Sequence, residues 1–245
     1  MTGEAPTILA TSGGWRPGRR VRMEPGPLLH HAVELSGVRG RAPKVCHVGT
    51  ALGDQLSMNA WVSDAAQVAG FALTHLNLFP MPNVEDVEAH LLDQDVVWVA
   101  GGSVANLLAV WRVHGLDEVL RRVWDAGVVL SGVSAGSVCW HVGGTTDSYG
   151  PTLRPVTDGL ALVPYSNGVH YDSEEQRRPM FHNLIADGTL PAGYATDDGV
   201  GLVYRGTELL EAVTEMKGKA AYHVERTGDT AVETRIEPTI LPGAA

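Results

Sequence analysis

Val128-Val129-Leu130-Ser131-Gly132-Val133-Ser134-Ala135-Gly136-Ser137 lies just past the middle of the 245-residue chain. An apolar, β-branched run passes through Gly-x-Ser-x-Gly straight into a helix-compatible segment. That order predicts a strand, a sharp turn and a helix, with Ser134 on the turn in strained backbone geometry. The flanking glycines remove side chains that would collide with strand and helix. The serine is then held out at the carboxyl end of a sheet, and the amide of Ala135 points where an oxyanion would form.

Working outward, a second strand ends similarly. Val96-Val97-Trp98-Val99-Ala100 leads into Gly101-Gly102-Ser103 and then a helix through Val104, Leu107 and Leu108. Two adjacent glycines leave backbone amides uncovered, which suits a second oxyanion donor at Gly102. The simpler reading is a strand-to-helix turn that uses glycine for its dihedrals. Over the first 140 residues short β-branched runs alternate with helical patterns, which argues a parallel sheet covered on both faces. Strands are expected at residues 7–10, 44–48, 72–79, 96–100 and 128–133. Helices are expected at 27–35, 54–69, 84–92 and 104–126, the last breaking near Gly115. After Pro151 the texture changes to strands at 160–163, 193–196, 200–204 and 220–225. One helix begins near Ser173, whose spacing to Gln176 fits a capping box; Pro179 inside it suggests a later start or a kink. No composition shift marks a linker and no repeat is present, so residues 1–245 read as a single α/β domain with a small antiparallel extension.

Composition excludes several function classes. With 18 Lys+Arg against 28 Asp+Glu the formal charge is −10, whereas binding a polyphosphate needs a basic face that releases counterions. No nucleic-acid partner is therefore expected. Apolar runs are strand-sized, far short of the roughly 20 residues a bilayer requires. The start, Met1-Thr2-Gly3-Glu4-Ala5-Pro6, lacks the basic and apolar regions of a signal peptide. Cys46 and Cys139 are too few for a disulfide framework and lack zinc spacing, so a reducing cytoplasm is expected. No metal and no cofactor are called for: His170 and Asp172 would supply two ligands, without an obvious third. Residues 1–44 carry seven basic groups against three acidic ones, and most of the excess of four sits in Gly13-Gly14-Trp15-Arg16-Pro17-Gly18-Arg19-Arg20, which reads as a solvated loop.

A serine hydroxyl is a poor nucleophile near neutral pH and needs a base within reach, itself oriented by a third group. Of ten histidines, His47 falls in a buried-strand pattern, and His30, His31, His90, His114 and His182 lie on helical stretches. His141 follows Ser134 by seven residues on the same helix and would point away. The two serious candidates are His170 and His223. His170 lies in the loop-rich Tyr165-Ser166-Asn167-Gly168-Val169-His170-Tyr171-Asp172, where sites usually sit. His223 would complete the order Ser134, Asp198, His223 of an α/β-hydrolase-like esterase, but its surroundings alternate like a strand.

Val99-Ala100-Gly101-Gly102-Ser103, the elbow, Thr146-Asp147-Ser148 and Val169-His170-Tyr171-Asp172-Ser173-Glu174 together resemble the peptidase E family of serine peptidases. That family includes bacterial aspartyl dipeptidase and is related to cyanophycinase. The resemblance spans roughly residues 7–205. It implies a parallel-sheet sandwich resembling class I glutamine amidotransferases, and metal-independent hydrolysis of a peptide bond near the amino terminus of a short peptide, with Asp-X dipeptides as candidate substrates. Residue by residue, it makes Ser134 the nucleophile and His170 the base. The third member falls in Gly193-Tyr194-Ala195-Thr196-Asp197-Asp198-Gly199, with Asp198 where Glu is commoner, and Asp197 and Asp172 as alternatives. For substrate binding, Arg177 and Arg178 are candidates for a side-chain carboxylate, although surface pairing with Glu174 or Glu175 explains them equally, and Asp147 for the ammonium group, although it also suits a turn. The rival is a non-catalytic, amidotransferase-like binding protein that keeps the fold; a glutamine amidotransferase proper would require a thiol at the elbow, and Cys139, five residues on, cannot occupy that turn.

Overall fold

The computed structural model describes residues 6–245; Met1 to Ala5, most of the stretch scanned for a signal peptide, lie outside the described residues. In chain order the strands are β1 (Thr7–Thr11), β2 (Trp15–Pro17), β3 (Met23–Pro25), β4 (Lys44–Val48), β5 (Ala72–Leu76), β6 (Val96–Val99), β7 (Val129–Val133), β8 (Gly143–Thr146), β9 (Arg154–Val156), β10 (Ser166–Gly168), β11 (Gly193–Thr196), β12 (Val200–Arg205), β13 (Glu208–Thr214), β14 (Ala221–Thr227), β15 (Thr230–Ile236) and β16 (Thr239–Ile240). The helices are α1 (Pro27–Leu35), α2 (Leu56–Ala69), α3 (Val87–Leu92), α4 (Val104–Val113), α5 (Leu116–Asp125), α6 (Ala135–Val138) and α7 (Arg177–Ala186), with a 3-10 turn at Thr50–Leu52.

Among the described residues the larger sheet has the order β16-β13-β12-β1-β7-β6-β4-β5. Its block from β1 to β5 is wholly parallel, and β12 joins antiparallel to β1. Alternation along β1 explains why both faces are covered. Ile8 and Ala10 enter one core with Leu107, Leu120 and Trp111 of α4 and α5, while Leu9 enters another with Leu28 and Leu29 of α1. A strand buried on both sides has no polar face, which is why Thr7–Thr11 is buried throughout. A second sheet, β15-β14-β11-β10-β8-β9, is parallel only over β8, β10 and β11. No described helix is long and apolar enough to cross a membrane.

Several expected elements are corrected. Residues 160–163 form no strand. Their amides pin a loop under α6, Leu160 N–H donating to Cys139 O and Leu162 N–H to Trp140 O, and Ala161 at φ 49° breaks the extended run. The adjoining strands are β9 and β10 instead. No capping box forms at Ser173: the Gln176 side chain is spent on Pro151 O and Leu153 N–H. The helix starts later, at Arg177, which puts Pro179 in the first turn, where its missing N–H costs nothing. Helix α2 starts at Leu56 because Asp54 sits at φ 51°. The basic stretch is a β2–β3 hairpin rather than a plain loop, closed by Glu24, which accepts from Arg19 N–H and faces Arg16 at 3.8 Å. The extension is larger than expected, because β13 and β15 carried too little apolar patterning to be read as strands.

His141 lies beyond the short α6, fully buried. Its Nδ1 is 2.9 Å from Ser137 O and its Nε2 3.1 Å from Tyr204 Oη, an arrangement that suits a neutral ring donating at Nδ1 and accepting at Nε2. Burial pushes its pKa down to about 4. The unfolded chain therefore binds one more proton between about pH 6.5 and 4, and stability falls as pH falls through that window. Urea titrations of the native chain and His141→Gln should show the native chain losing about 3 kcal/mol more than the variant across it.

Candidate active site

The elbow is built by close backbone approach. A Cβ on Gly132 would lie 2.5 Å from Gly136 O and 2.6 Å from Val99 O, and one on Gly136 only 2.3 Å from Val99 O. With glycine at both positions α6 packs directly against β6 and β7. Ser134 sits between them at φ 56°, ψ −110°, a conformation non-glycine residues rarely hold. Three bonds over-determine it: its N–H donates to Thr11 O at 3.0 Å, and its carbonyl accepts from Ser137 N–H and Val138 N–H at 2.8 and 2.9 Å.

Ser134 lines one cleft with Gly102, Ala135, Val138, Thr145, Thr146, Asp147, Val169 and Arg177. Gly102 is at φ 133°, and a Cβ there would lie 2.4 Å from Ala51 O. Neither its amide nor that of Ala135 donates a hydrogen bond to another described residue. Ser134 thus shares the cleft with two residues whose backbone amides are uncommitted.

His170 also has a positive φ, 52°. Its Nδ1 is 2.6 Å from Asp198 Oδ1. Of the three acidic residues considered, the other two are occupied elsewhere. Asp172 accepts from Asp198 N–H at 2.9 Å and pairs with Lys219, so it holds the turn that carries Asp198. Asp197 accepts from Ala220 N–H at 3.0 Å and faces Tyr222 Oη at 3.4 Å; burial raises its pKa. His223 lies mid-strand on β14, paired in register with Tyr194 and with its ring 5.0 Å from that of Tyr194.

The two arginines separate. Arg177 is 3% exposed and projects into the cleft wall, its Nε donating to Glu174 Oε2 at 2.7 Å and one terminal nitrogen to Thr145 O at 2.6 Å; the other lies 3.9 Å from Asp147. Arg178 instead covers the rings of Tyr171 and Tyr222, 4.6 Å from each, and lies 3.7 Å from Glu233. It does not line the cleft.

One residue escaped the sequence reading. Ser12, immediately after β1 and 4% exposed, accepts from His170 N–H at 3.2 Å through Oγ and shares a 2.7 Å bond with Thr196 Oγ1; its carbonyl accepts from Gly199 N–H at 2.9 Å. Together with Thr11 it ties the Ser134, His170 and Asp198 segments to the end of one strand. The available signal was a hydroxyl pair before a double glycine, Thr11-Ser12-Gly13-Gly14, at the carboxyl end of the first strand. Among the described residues no group of three His, Cys, Asp or Glu is placed to hold a metal ion.

Residues 23–212 match the model of Peptidase family S51. The "Uncharacterized peptidase YgaJ" of Bacillus subtilis strain 168 is 36% identical over 217 residues, 89% of this chain and 91% of that one. Peptidase E of Shewanella denitrificans is 25% identical over 192 residues, 75% and 80% of the two chains. Among solved structures, a peptidase from an acI-B1 Actinobacterium shares the fold at a TM-score of 0.69 and 15% identity, over 96% of each chain.

Ser12→Ala removes the acceptor of the half-buried His170 N–H and the 2.7 Å partner of the Thr196 hydroxyl, which keeps only a 3.5 Å approach to Gly168 O. The variant should lose about 1–3 kcal/mol in urea unfolding, and amide exchange measured by NMR should speed up at His170 while β6 amides stay protected.

Proposed function

The chain belongs to peptidase family S51, the peptidase E family of serine peptidases, and from that premise we propose that it is an exopeptidase cleaving next to the amino terminus of short peptides through an acyl-enzyme on Ser134. The observation that carries this reading is Ser134 held at φ 56° in one cleft with the uncommitted amides of Gly102 and Ala135. His170 Nε2 takes the hydroxyl proton as Ser134 Oγ attacks the carbonyl carbon. The amides of Gly102 and Ala135 hold the oxyanion. His170 then protonates the departing amine, and water releases the acyl group by the reverse sequence. Asp198, 2.6 Å from Nδ1, keeps the ring in the tautomer that leaves Nε2 free to accept, and stabilises the imidazolium.

The finer reading is an aspartyl dipeptidase on one domain whose scaffold resembles class I glutamine amidotransferases. Arg177 supports it: the guanidinium is buried, and its nitrogen facing Asp147 makes only a 3.9 Å contact. A substrate side-chain carboxylate takes that nitrogen, and Asp147, 62% exposed at its side chain, turns to the substrate ammonium. Two unpaired buried thiols, Cys46 and Cys139, fit a cytoplasmic setting.

Peptide hydrolysis and fluorophosphonate labelling test the nucleophile. Ser134→Ala and His170→Ala should each lose roughly a million-fold in kcat, only the former losing the labelled residue, while His223→Ala stays close to native. Loss in His223→Ala with full activity in His170→Ala would replace this reading by the esterase-like one. For specificity, the ratio of kcat/KM on Asp-Ala to that on Ala-Ala should fall about 10- to 100-fold in Arg177→Lys. A native ratio of one or below refutes the aspartyl assignment and leaves the peptidase reading standing.

A further inference from the structure

A second opening shares Gly102 with the Ser134 cleft. It is a groove of about 600 Å³ between the Thr50–Leu52 turn, Phe79 and the first two turns of α4, where Asn106, Ala109 and Val110 face it. Its volume lies within the range of about 300–1,000 Å³ typical of ligand sites. The cleft beside Ser134, in contrast, has a volume of about 10 Å³, room for roughly one water, and is walled by Arg177 and Asp147. No charged residue lines the groove, in a chain of net charge −10.

The groove is a built feature. Phe79 stays 49% exposed at its rim. It is held there by Asp54, a residue 6% exposed, whose Oδ2 accepts from Leu78 N–H and Phe79 N–H. On the other side, Ala51 O accepts from Ser103 N–H at 3.0 Å and touches Gly102 so closely that no Cβ fits between them. The wall of the groove and the loop carrying the Gly102 amide are therefore one packed unit. Leu56, Met81 and Val113, sequence neighbours of groove residues, are exposed as well at 81%, 69% and 81%.

We propose that this groove is the binding site for the residue on the leaving side of the scissile bond, and that it selects peptides whose second residue is a large apolar one. The inference rests on the reading that the scissile carbonyl is held at Gly102. With that oxygen between the Gly102 and Ala135 amides, the two sides of the bond lead into the two openings that meet there. The amino-terminal residue, too large for a cleft of about 10 Å³, stays at its mouth, where the Asp147 side chain is 62% exposed. Its successor goes to the neutral groove, where Phe79, Leu52 and Val110 cover an apolar side chain and Asn106 is placed for the peptide backbone.

Binding to Ser134→Ala, measured calorimetrically, tests this without depending on turnover. Asp-Leu and Asp-Phe should bind about tenfold more tightly than Asp-Gly, as expected for covering part of one apolar side chain, and the same order should hold for Ala-Leu, Ala-Phe and Ala-Gly. Ala109→Trp, on an exposed face of α4, fills the groove and should abolish the preference; Phe79→Ala should weaken it. Circular dichroism shows whether each variant folds. Equal affinity across the second residue overturns the proposal, as does a preference that follows the first residue instead. A change of association state in Ala109→Trp by sedimentation, with peptide preference intact, identifies the groove as a contact between copies and also overturns it. Failure of the native chain to hydrolyse any of these peptides counts against the serine mechanism, while the binding order still decides the groove.

Discussion

Two residues at the end of β1 set the positions of three chain segments far apart in sequence. Thr11 O takes the amide of Ser134, Ser12 Oγ the amide of His170, and Ser12 O the amide of Gly199 beside Asp198. Each bond is modest, yet two of the three hold residues whose backbone is otherwise unfavourable. Ser134 and His170 both sit at positive φ, which costs of order 1–3 kcal/mol per residue and persists only where surroundings over-determine it. The central strand does so because it lies between β12, which leads out of the Asp198 turn, and β7, which leads into the elbow.

Charge enters the cleft locally. A chain at −10 repels an acidic peptide at long range, so recognition of one depends on a cation inside the site. Arg177 has the burial for that role, but Glu174 and Thr145 already take part of its donor capacity. The basic β2–β3 hairpin is turned to other uses: Arg22 lies over Trp61 at 4.1 Å and Arg16 faces Glu24. The groove beside Gly102 has no such requirement, since apolar cover works irrespective of net charge.

Much of the parallel layer was legible from periodicity, because strands buried on both faces are written as unbroken apolar runs and the helices between them carry their own spacing. The carboxyl-terminal region was read less well. Strands β13 and β15 alternate exposed and half-buried positions, so their patterning is weak. Residues 160–163 misled in the opposite direction, since an apolar run signals burial and not conformation. There the burial anchors a loop. The capping-box reading at Ser173 failed because Gln176 found partners around Pro151 and Leu153 that are remote in sequence.

The sequence by itself determined the elbow, because Gly-x-Ser-x-Gly after a strand is a local steric statement: at Gly132 and Gly136 only hydrogen leaves room for the crossing backbones. It also narrowed the candidate base to two histidines, while the three candidate aspartates came from the resemblance to the peptidase E family. Tertiary structure alone decided which aspartate meets His170, since Asp172, Asp197 and Asp198 have the same chemistry and differ only in where a turn points them. It alone joined Ser12 to His170, 158 residues away, and set a neutral groove against the Gly102 loop. Such contacts depend on strand order, and strand order is fixed by how layers pack rather than by any local pattern.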